Sequence, residues 1–250
     1  SSEQYIKASI ANVEAALKSS GQRLPSRCTT PIQANYRPEL DTTAELKLEG
    51  IRYYQEMIGV LRWAIELGRI DIVMEVSMLS SHLAFPLEGH LQQVYHIFGF
   101  LKARPKRTLA FDPQHPDIDE SRFVKCDWHD FYCRAKEPIP GDMPEARGNV
   151  VSTHCFVDAD HAGNRITRRS QTGILLFVNR APVVWYSKRQ NTVESSTYGS
   201  ELVAMRIARD LISALRIKLK SFGVPILGPA NVYADNNAVV KNTSIPDHLH

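Results

Sequence analysis

The chain has 250 residues, of which 43% are hydrophobic, and 30 Lys and Arg against 27 Asp and Glu give a net charge of +3. This composition excludes wholesale disorder, and no apolar run approaches the ~18 residues that cross a bilayer, so we expect no membrane partner. Four scattered cysteines and the lack of a secretory signal favour a reducing compartment, the cytoplasm or the nucleus.

Apolar residues recur at the spacing of an amphipathic helix four times in the first hundred residues. The four stripes are Ile6, Ile10, Val13 and Leu17; Tyr54, Ile58, Leu61 and Ile65; Ile72, Val76, Leu79 and Leu83; and Leu87, Leu91, Val94 and Phe98. Each stripe needs neighbours to cover it, which predicts a helical segment over residues 1–102. Residues 21–50, which contain Pro25, Pro31 and Pro38, are predicted to be an extended connection.

Residues 103–150 are rich in proline and glycine, which break long helices and central strands. We therefore predict a proline-rich linker here, with one short ordered piece around residues 123–132.

From residue 150 the pattern becomes that of an α/β domain. Short β-branched or aromatic runs at 153–160, 173–178 and 183–187 predict three antiparallel strands. A helix is predicted over 196–222, where Gly223 and Pro225 end it, and a fourth strand over 231–235. The order predicts a mixed sheet over 151–250, with the helix as a crossover to a parallel fourth strand.

Three acidic residues of this half stand in apolar surroundings. Asp158 lies within an apolar strand run, Asp235 ends another, and Glu201 falls on the helix stripe of Ala208 and Ile212. Converging carboxylates are typical ligands of Mg²⁺ or Mn²⁺ and support phosphate chemistry. The alternative is that the two aspartates cap strand ends while Glu201 extends to solvent.

Between residues 161 and 190 the chain carries six basic residues and no acidic one. Such a local basic surface favours binding of a polyanion, although a solvated face has the same pattern.

Several long motifs of the second half occur in the order found in one family. They are FVDADHAG (156–163), RRSQTG (168–173), WYSKRQNTVESST (185–197), GSE (199–201) and YADN (233–236). With them, residues 154–244 resemble the ribonuclease H domain of copia-type retrotransposon polyproteins. The first half, through YQEMIGVLRW (54–63), is similar to the end of the family's reverse transcriptase, its thumb and connection.

The resemblance implies hydrolysis of the RNA strand of RNA–DNA hybrids with Mg²⁺ or Mn²⁺. It assigns the metal-binding acids to Asp158, Glu201 and Asp235. Asp160 shares a strand face with Asp158 and is either a reserve ligand or a solvated acid. The basic residues expected to contact phosphates are Arg165, Arg168, Arg169, Lys188 and Arg189. An active element would place the protein in a virus-like particle, as part of a longer polyprotein.

Two departures from the family limit what we expect. The paired aspartates of a polymerase site do not occur, so we expect no DNA polymerase activity. The family's fold would continue past His250 with a fifth strand and a fourth metal ligand, so we expect an incomplete domain. Asp247, His248 or His250 could substitute for the missing ligand, although no feature of the sequence selects one of them. The alternative function is an inactive nucleic-acid-binding or protein-interaction module, decayed or co-opted from a retrotransposon.

A weaker metal hypothesis concerns zinc. Cys126, His129 and Cys133, with His154 and Cys155, contain zinc-ligand types, but their spacing fits no common zinc module.

Overall fold

The computed structural model describes residues 2–107, 109–119, 121, 123, 126–127, 129–132 and 140–245. The chain divides into two compact units. The first consists of Ser1–Leu109, Asn164–Thr167 and Ser187–Arg189, and the second of Ala110–Gly163, Arg168–Tyr186 and Gln190–His250. The domain boundaries drawn from the sequence stay predictions.

The first unit is helical, as the apolar spacing predicted. Its helices are α1 (Ser2–Ser19), α2 (Leu48–Glu66), α3 (Val73–Ser80) and α4 (Glu88–Ala103). The predicted stripes of α1 and α2 are buried, from Leu61 at 0% exposure to Ile65 at 6%. Their burial against neighbouring helices supplies the hydrophobic free energy that short isolated helices lack.

The third and fourth predicted stripes extend beyond the ends of α3 and α4. Ile72 is the N-cap residue of α3. Leu83 lies beyond the end of α3, and Leu87 is the N-cap residue of α4. The backbone N–H of Leu87 donates to His90 Nδ1 at 3.0 Å, which caps the new helix, and Pro86 cannot donate a helical hydrogen bond. A break between the two helices therefore falls where the apolar spacing continues.

The second unit contains a four-stranded sheet of order β3-β2-β1-β4. Its strands are β1 (Thr153–Asp160), β2 (Gln171–Val178), β3 (Ala181–Arg189) and β4 (Asn231–Tyr233). β1 pairs with β2 antiparallel and with β4 parallel, so the predicted mixed α/β sheet is confirmed. β2 and β3 are joined by two residues, a connection that only antiparallel strands allow. β4 is two residues shorter than predicted, which leaves Asp235 beyond the strand.

The helices of the second unit are α5 (His129–Tyr132), α6 (Thr197–Ser221) and α7 (Asn237–Ser244). The predicted helix over 196–222 matches α6 with its two caps, Ser196 and Phe222. Cys155, Val157 and Ala159 alternate on one face of β1 and pack with Ala204 and Ala208 of α6. The small alanines allow the helix to approach the sheet closely. In the part of the chain that the structure describes, no helix has the length and apolar character to cross a bilayer.

Candidate metal centre

Three carboxylates from separate elements meet at one place in the second unit. Asp158 lies on β1, Glu201 near the N-terminal end of α6, and Asp235 just after β4. Phe156 pairs with Tyr233 across the parallel strands, and each aspartate follows two residues later, so both aspartates lie at the same level. One oxygen of each of the three carboxylates lies within 4.8 Å of the others. The three acids singled out in the sequence therefore do come together.

The three acids differ in burial. Glu201 is only 9% exposed, as its place on the apolar helix stripe predicted. Asp158 and Asp235 are exposed. Asp158 is exposed although its neighbours in sequence are apolar, because successive side chains of β1 point to opposite faces of the sheet. Asp158 lies on the face opposite Val157 and the hydrophobic core.

The environment of Glu201 disfavours its charged form. Burial raises the pKa of Glu201, and the negative charges of Asp235 and Asp158 raise it further. A hydrogen bond opposes this shift, since Asn236 Nδ2 donates to Glu201 Oε1 at 3.3 Å. A cation beside the three acids would favour the charged form.

The donor set fits a hard divalent cation. Carboxylate oxygens are the ligands that Mg²⁺ and Mn²⁺ prefer. Glu201 Oε2 is buried and has no hydrogen-bond donor among the described residues, so a cation would give it the partner that it lacks. Within the described part of the chain, these acids are also the one group of three or more His, Cys, Asp or Glu residues suited to a metal.

Asp160, the reserve ligand of the sequence analysis, does not belong to this group. Its carboxylate accepts a hydrogen bond from the backbone N–H of Gln171. A Cβ atom at Gly163 would overlap the same carboxylate, so the loop after β1 closes tightly over Asp160. These contacts favour a structural role for Asp160 in the β1–β2 loop.

A buried side chain that sequence reasoning missed connects β2 with the start of α6. Gln190 is 3% exposed, and its Nε2 donates to Thr172 Oγ1 at 3.0 Å and to the Ser200 carbonyl at 2.8 Å. Its backbone N–H donates to the Ser170 carbonyl at 2.8 Å. Because Ser200 directly precedes Glu201, Gln190 fixes the helical turn that carries the buried acid. The motifs RRSQTG, WYSKRQNTVESST and GSE supply these four residues. The one sequence feature that could have pointed to the role of Gln190 is an uncharged polar residue at the end of a strand.

The predicted phosphate-contacting residues fall in both units. Arg168 is exposed and Arg169 half-buried in the second unit; Arg165 and Lys188 are exposed and Arg189 half-buried in the first. Among the described residues, none of these five side chains forms an ion pair within 4.0 Å.

The other predicted ligands receive no support. Cys155 packs in the hydrophobic core, where burial raises the pKa of its thiol to about 12, whereas Cys126 is exposed. Cys133, like Asp247, His248 and His250, lies outside the described residues. The zinc hypothesis and the substitute fourth ligand stay predictions.

Similarity to known proteins extends over most of the chain. It is 24% identical over 208 residues, 83% of its length, to the retrovirus-related Pol polyprotein from transposon RE1 of Arabidopsis thaliana. The Pol polyprotein from transposon RE2 of the same plant is 22% identical over 207 residues, again 83% of the chain. The chain spans 12% of the length of each polyprotein. These relatives support a retroelement-derived protein.

A shorter relative has another description. The secreted RxLR effector protein 161 of Plasmopara viticola is 23% identical over 152 residues, which are 61% of this chain and 83% of that protein. No protein-family model and no solved structure matches the chain.

Proposed function

We propose that this protein is a ribonuclease H-like hydrolase that cleaves the RNA strand of RNA–DNA hybrids with Mg²⁺ or Mn²⁺. The observation that carries the proposal is the convergence of Asp158, Glu201 and Asp235 to within 4.8 Å, from β1, from α6 and from the segment after β4. The motifs around these acids and the similarity to retrotransposon Pol polyproteins support the same function.

In this proposal the three carboxylates hold the cation and the basic residues hold the substrate. Without a cation the acids repel one another and an approaching phosphate, so the site needs a metal before an anionic substrate can enter. Bound there, Mg²⁺ or Mn²⁺ would lower the pKa of a water molecule and neutralise charge that develops on the phosphodiester. Glu201 is held in a buried helical turn and would supply one fixed ligand to the cation. The two aspartates are exposed and would face the substrate.

Substrate binding through the basic residues is electrostatic. Arg165, Arg168, Arg169, Lys188 and Arg189 contact backbone phosphates and not base edges, so affinity depends little on sequence and falls steeply with salt. We assign residues 1–102 to a segment like the reverse-transcriptase thumb and connection, 103–150 to a linker, and 151–250 to the ribonuclease H-like domain.

The test is cleavage of an RNA–DNA hybrid labelled on either strand, in Mn²⁺ and with the full chain. We expect the RNA strand to be cut, the DNA strand to stay intact, and Asp235→Asn to abolish cutting. Asp142→Asn, at an exposed aspartate, is the matched control and should cut like the parent. A folded parent that binds the hybrid without cutting either strand would contradict the proposal and leave the inactive binding module.

A further inference from the structure

Asn236 hydrogen-bonds two elements through opposite ends of its amide. Its Oδ1 accepts from the backbone N–H groups of Ala238 at 3.0 Å and Val239 at 3.2 Å, which makes Asn236 the N-cap of α7. Its Nδ2 donates to Glu201 Oε1 at 3.3 Å. Since backbone N–H groups can only donate, the amide oxygen must face α7, and the NH₂ group therefore faces Glu201.

Glu201 has little else to hold its carboxylate. The side chain is 9% exposed, its Oε2 has no donor among the described residues, and its nearest charged neighbours, Asp158 and Asp235, are also negative. Repulsion from these two acids would push Glu201 away from the cluster. The hydrogen bond from Asn236 acts against that movement.

Capping alone does not require asparagine at this position. Serine and aspartate are N-caps of similar strength, because each offers a side-chain oxygen to the same backbone N–H groups. Neither carries an NH₂ group that reaches a carboxylate on the far side. The choice of asparagine is therefore explained by the second contact.

We propose that Asn236 is a positioning residue, which uses the cap of α7 as an anchor to hold the Glu201 carboxylate in place for the divalent cation. This inference rests on the proposed function of the same site. Groups that hydrogen-bond a metal ligand orient it, and their loss typically weakens metal binding by about 10–100-fold.

The experiment separates the cap from the donor. Asn236→Ser keeps an oxygen for the cap but removes the NH₂ group, whereas Asn236→Ala removes both. Thermal unfolding reports the cap, and Mn²⁺ affinity, measured by the EPR signal of free Mn²⁺, reports the positioning of Glu201. Asn237→Ser, at the exposed next residue, is the matched control for an Asn-to-Ser change in α7.

We expect Asn236→Ser to unfold close to the parent and to bind Mn²⁺ about 10-fold more weakly. Asn236→Ala should show the weaker binding and also a lower unfolding temperature, while Asn237→Ser should bind like the parent. In metal-free protein, Glu201→Gln should shift the NMR resonance of the Asn236 side-chain amide.

Two results would overturn the inference, and they differ in whether the proposed function is also refuted. Parent-like Mn²⁺ affinity in Asn236→Ser would refute the positioning role and leave the proposed function standing. A folded parent that binds no Mn²⁺ would refute the proposed function and the positioning role together.

Discussion

Asp158 and Asp160 lie two residues apart on the same face of β1, yet their carboxylates have different surroundings. Asp158 joins Glu201 and Asp235 in the carboxylate cluster. Asp160 instead accepts the backbone N–H of Gln171 and packs against Gly163. Sharing a strand face therefore does not give the two aspartates the same role, and the β1–β2 loop is what separates them.

This difference predicts opposite results for two alanine variants. Asp160→Ala should retain Mn²⁺ affinity but lower the free energy of unfolding by about 1–2 kcal/mol, because a charged acceptor of a backbone N–H is removed. Asp158→Ala should lose Mn²⁺ affinity instead. Mn²⁺ titrations and urea denaturation of both variants check this. If the Asp160→Ala variant folds correctly but loses Mn²⁺ affinity, Asp160 is a metal ligand after all.

Glu201→Gln should stabilise the metal-free protein and abolish the proposed binding of Mg²⁺. Burial and the charges of Asp235 and Asp158 raise the pKa of Glu201, so its charged form weakens the folded state increasingly as pH rises above the ordinary range of the group. We expect the variant to unfold about 2–4 °C higher at neutral pH. Added Mg²⁺ should raise the unfolding temperature of the parent only. Glu45→Gln, at an exposed site, is the control, and an equal shift there would refute the account.

The hydrogen bonds of Gln190 predict a large loss of stability from a substitution that leaves the net charge unchanged. Gln190→Leu removes the bonds to Thr172 Oγ1 and the Ser200 carbonyl, and the buried Thr172 hydroxyl loses this donor. We expect the free energy of unfolding to fall by about 2–3 kcal/mol. Gln22→Leu, at an exposed site, should change it little, and urea denaturation compares the two. Similar small effects in both would show that Gln190 does not hold α6.

The features of the site that depend on local backbone geometry could be predicted from the sequence. Helical periodicity placed Glu201 on the buried stripe, and alternation placed Asp158 and Asp160 on one strand face. Neither rule could tell these two aspartates apart, because the contact between Asp160 and Gln171 depends on how a ten-residue loop closes. The contacts of Gln190 and Asn236 join residues distant in sequence, so they needed the tertiary structure.

The helix boundaries show a similar limit. Apolar spacing ran through Leu83 and Leu87, but these residues lie outside α3 and α4. Both residues are only half-buried, and α4 begins where His90 caps the backbone N–H of Leu87. Periodicity therefore located the helices and the buried faces better than their ends.

Charge reversal at Arg168 and Arg169 tests the proposed phosphate contacts of the second unit. Replacing both with glutamate should weaken hybrid binding at low salt and reduce the slope of log affinity against log salt by about 1 for each phosphate that is no longer neutralised. Lys18→Glu with Lys7→Glu, on α1, makes the same change in net charge as a control. Fluorescence anisotropy over a salt series gives the slopes. Equal slopes in the parent and the arginine variant would show that these arginines do not bind phosphates.

The first unit should lose stability in acid because of His82. Burial lowers the pKa of His82 to about 4, and electrostatic interactions with His90 and Arg189 lower it further, against the opposing charges of Glu39 and Asp41. The folded state therefore binds this proton less readily than the unfolded chain does. Its stability should be full above about pH 6.5, fall towards pH 4, and level off below. Thermal unfolding across this range, with His82→Gln as the comparison, measures the effect; identical pH profiles would refute it.

The most direct test of the proposed metal site is the location of bound Mn²⁺ by anomalous diffraction from crystals soaked in MnCl₂. We predict an anomalous peak at metal–oxygen distance, about 2.0–2.2 Å, from carboxylate oxygens of Asp158, Glu201 and Asp235. The peak should vanish in Asp235→Asn. Crystals of the parent without a peak beside these three acids, or with the strongest peak elsewhere, would contradict the metal site and the hydrolase built on it.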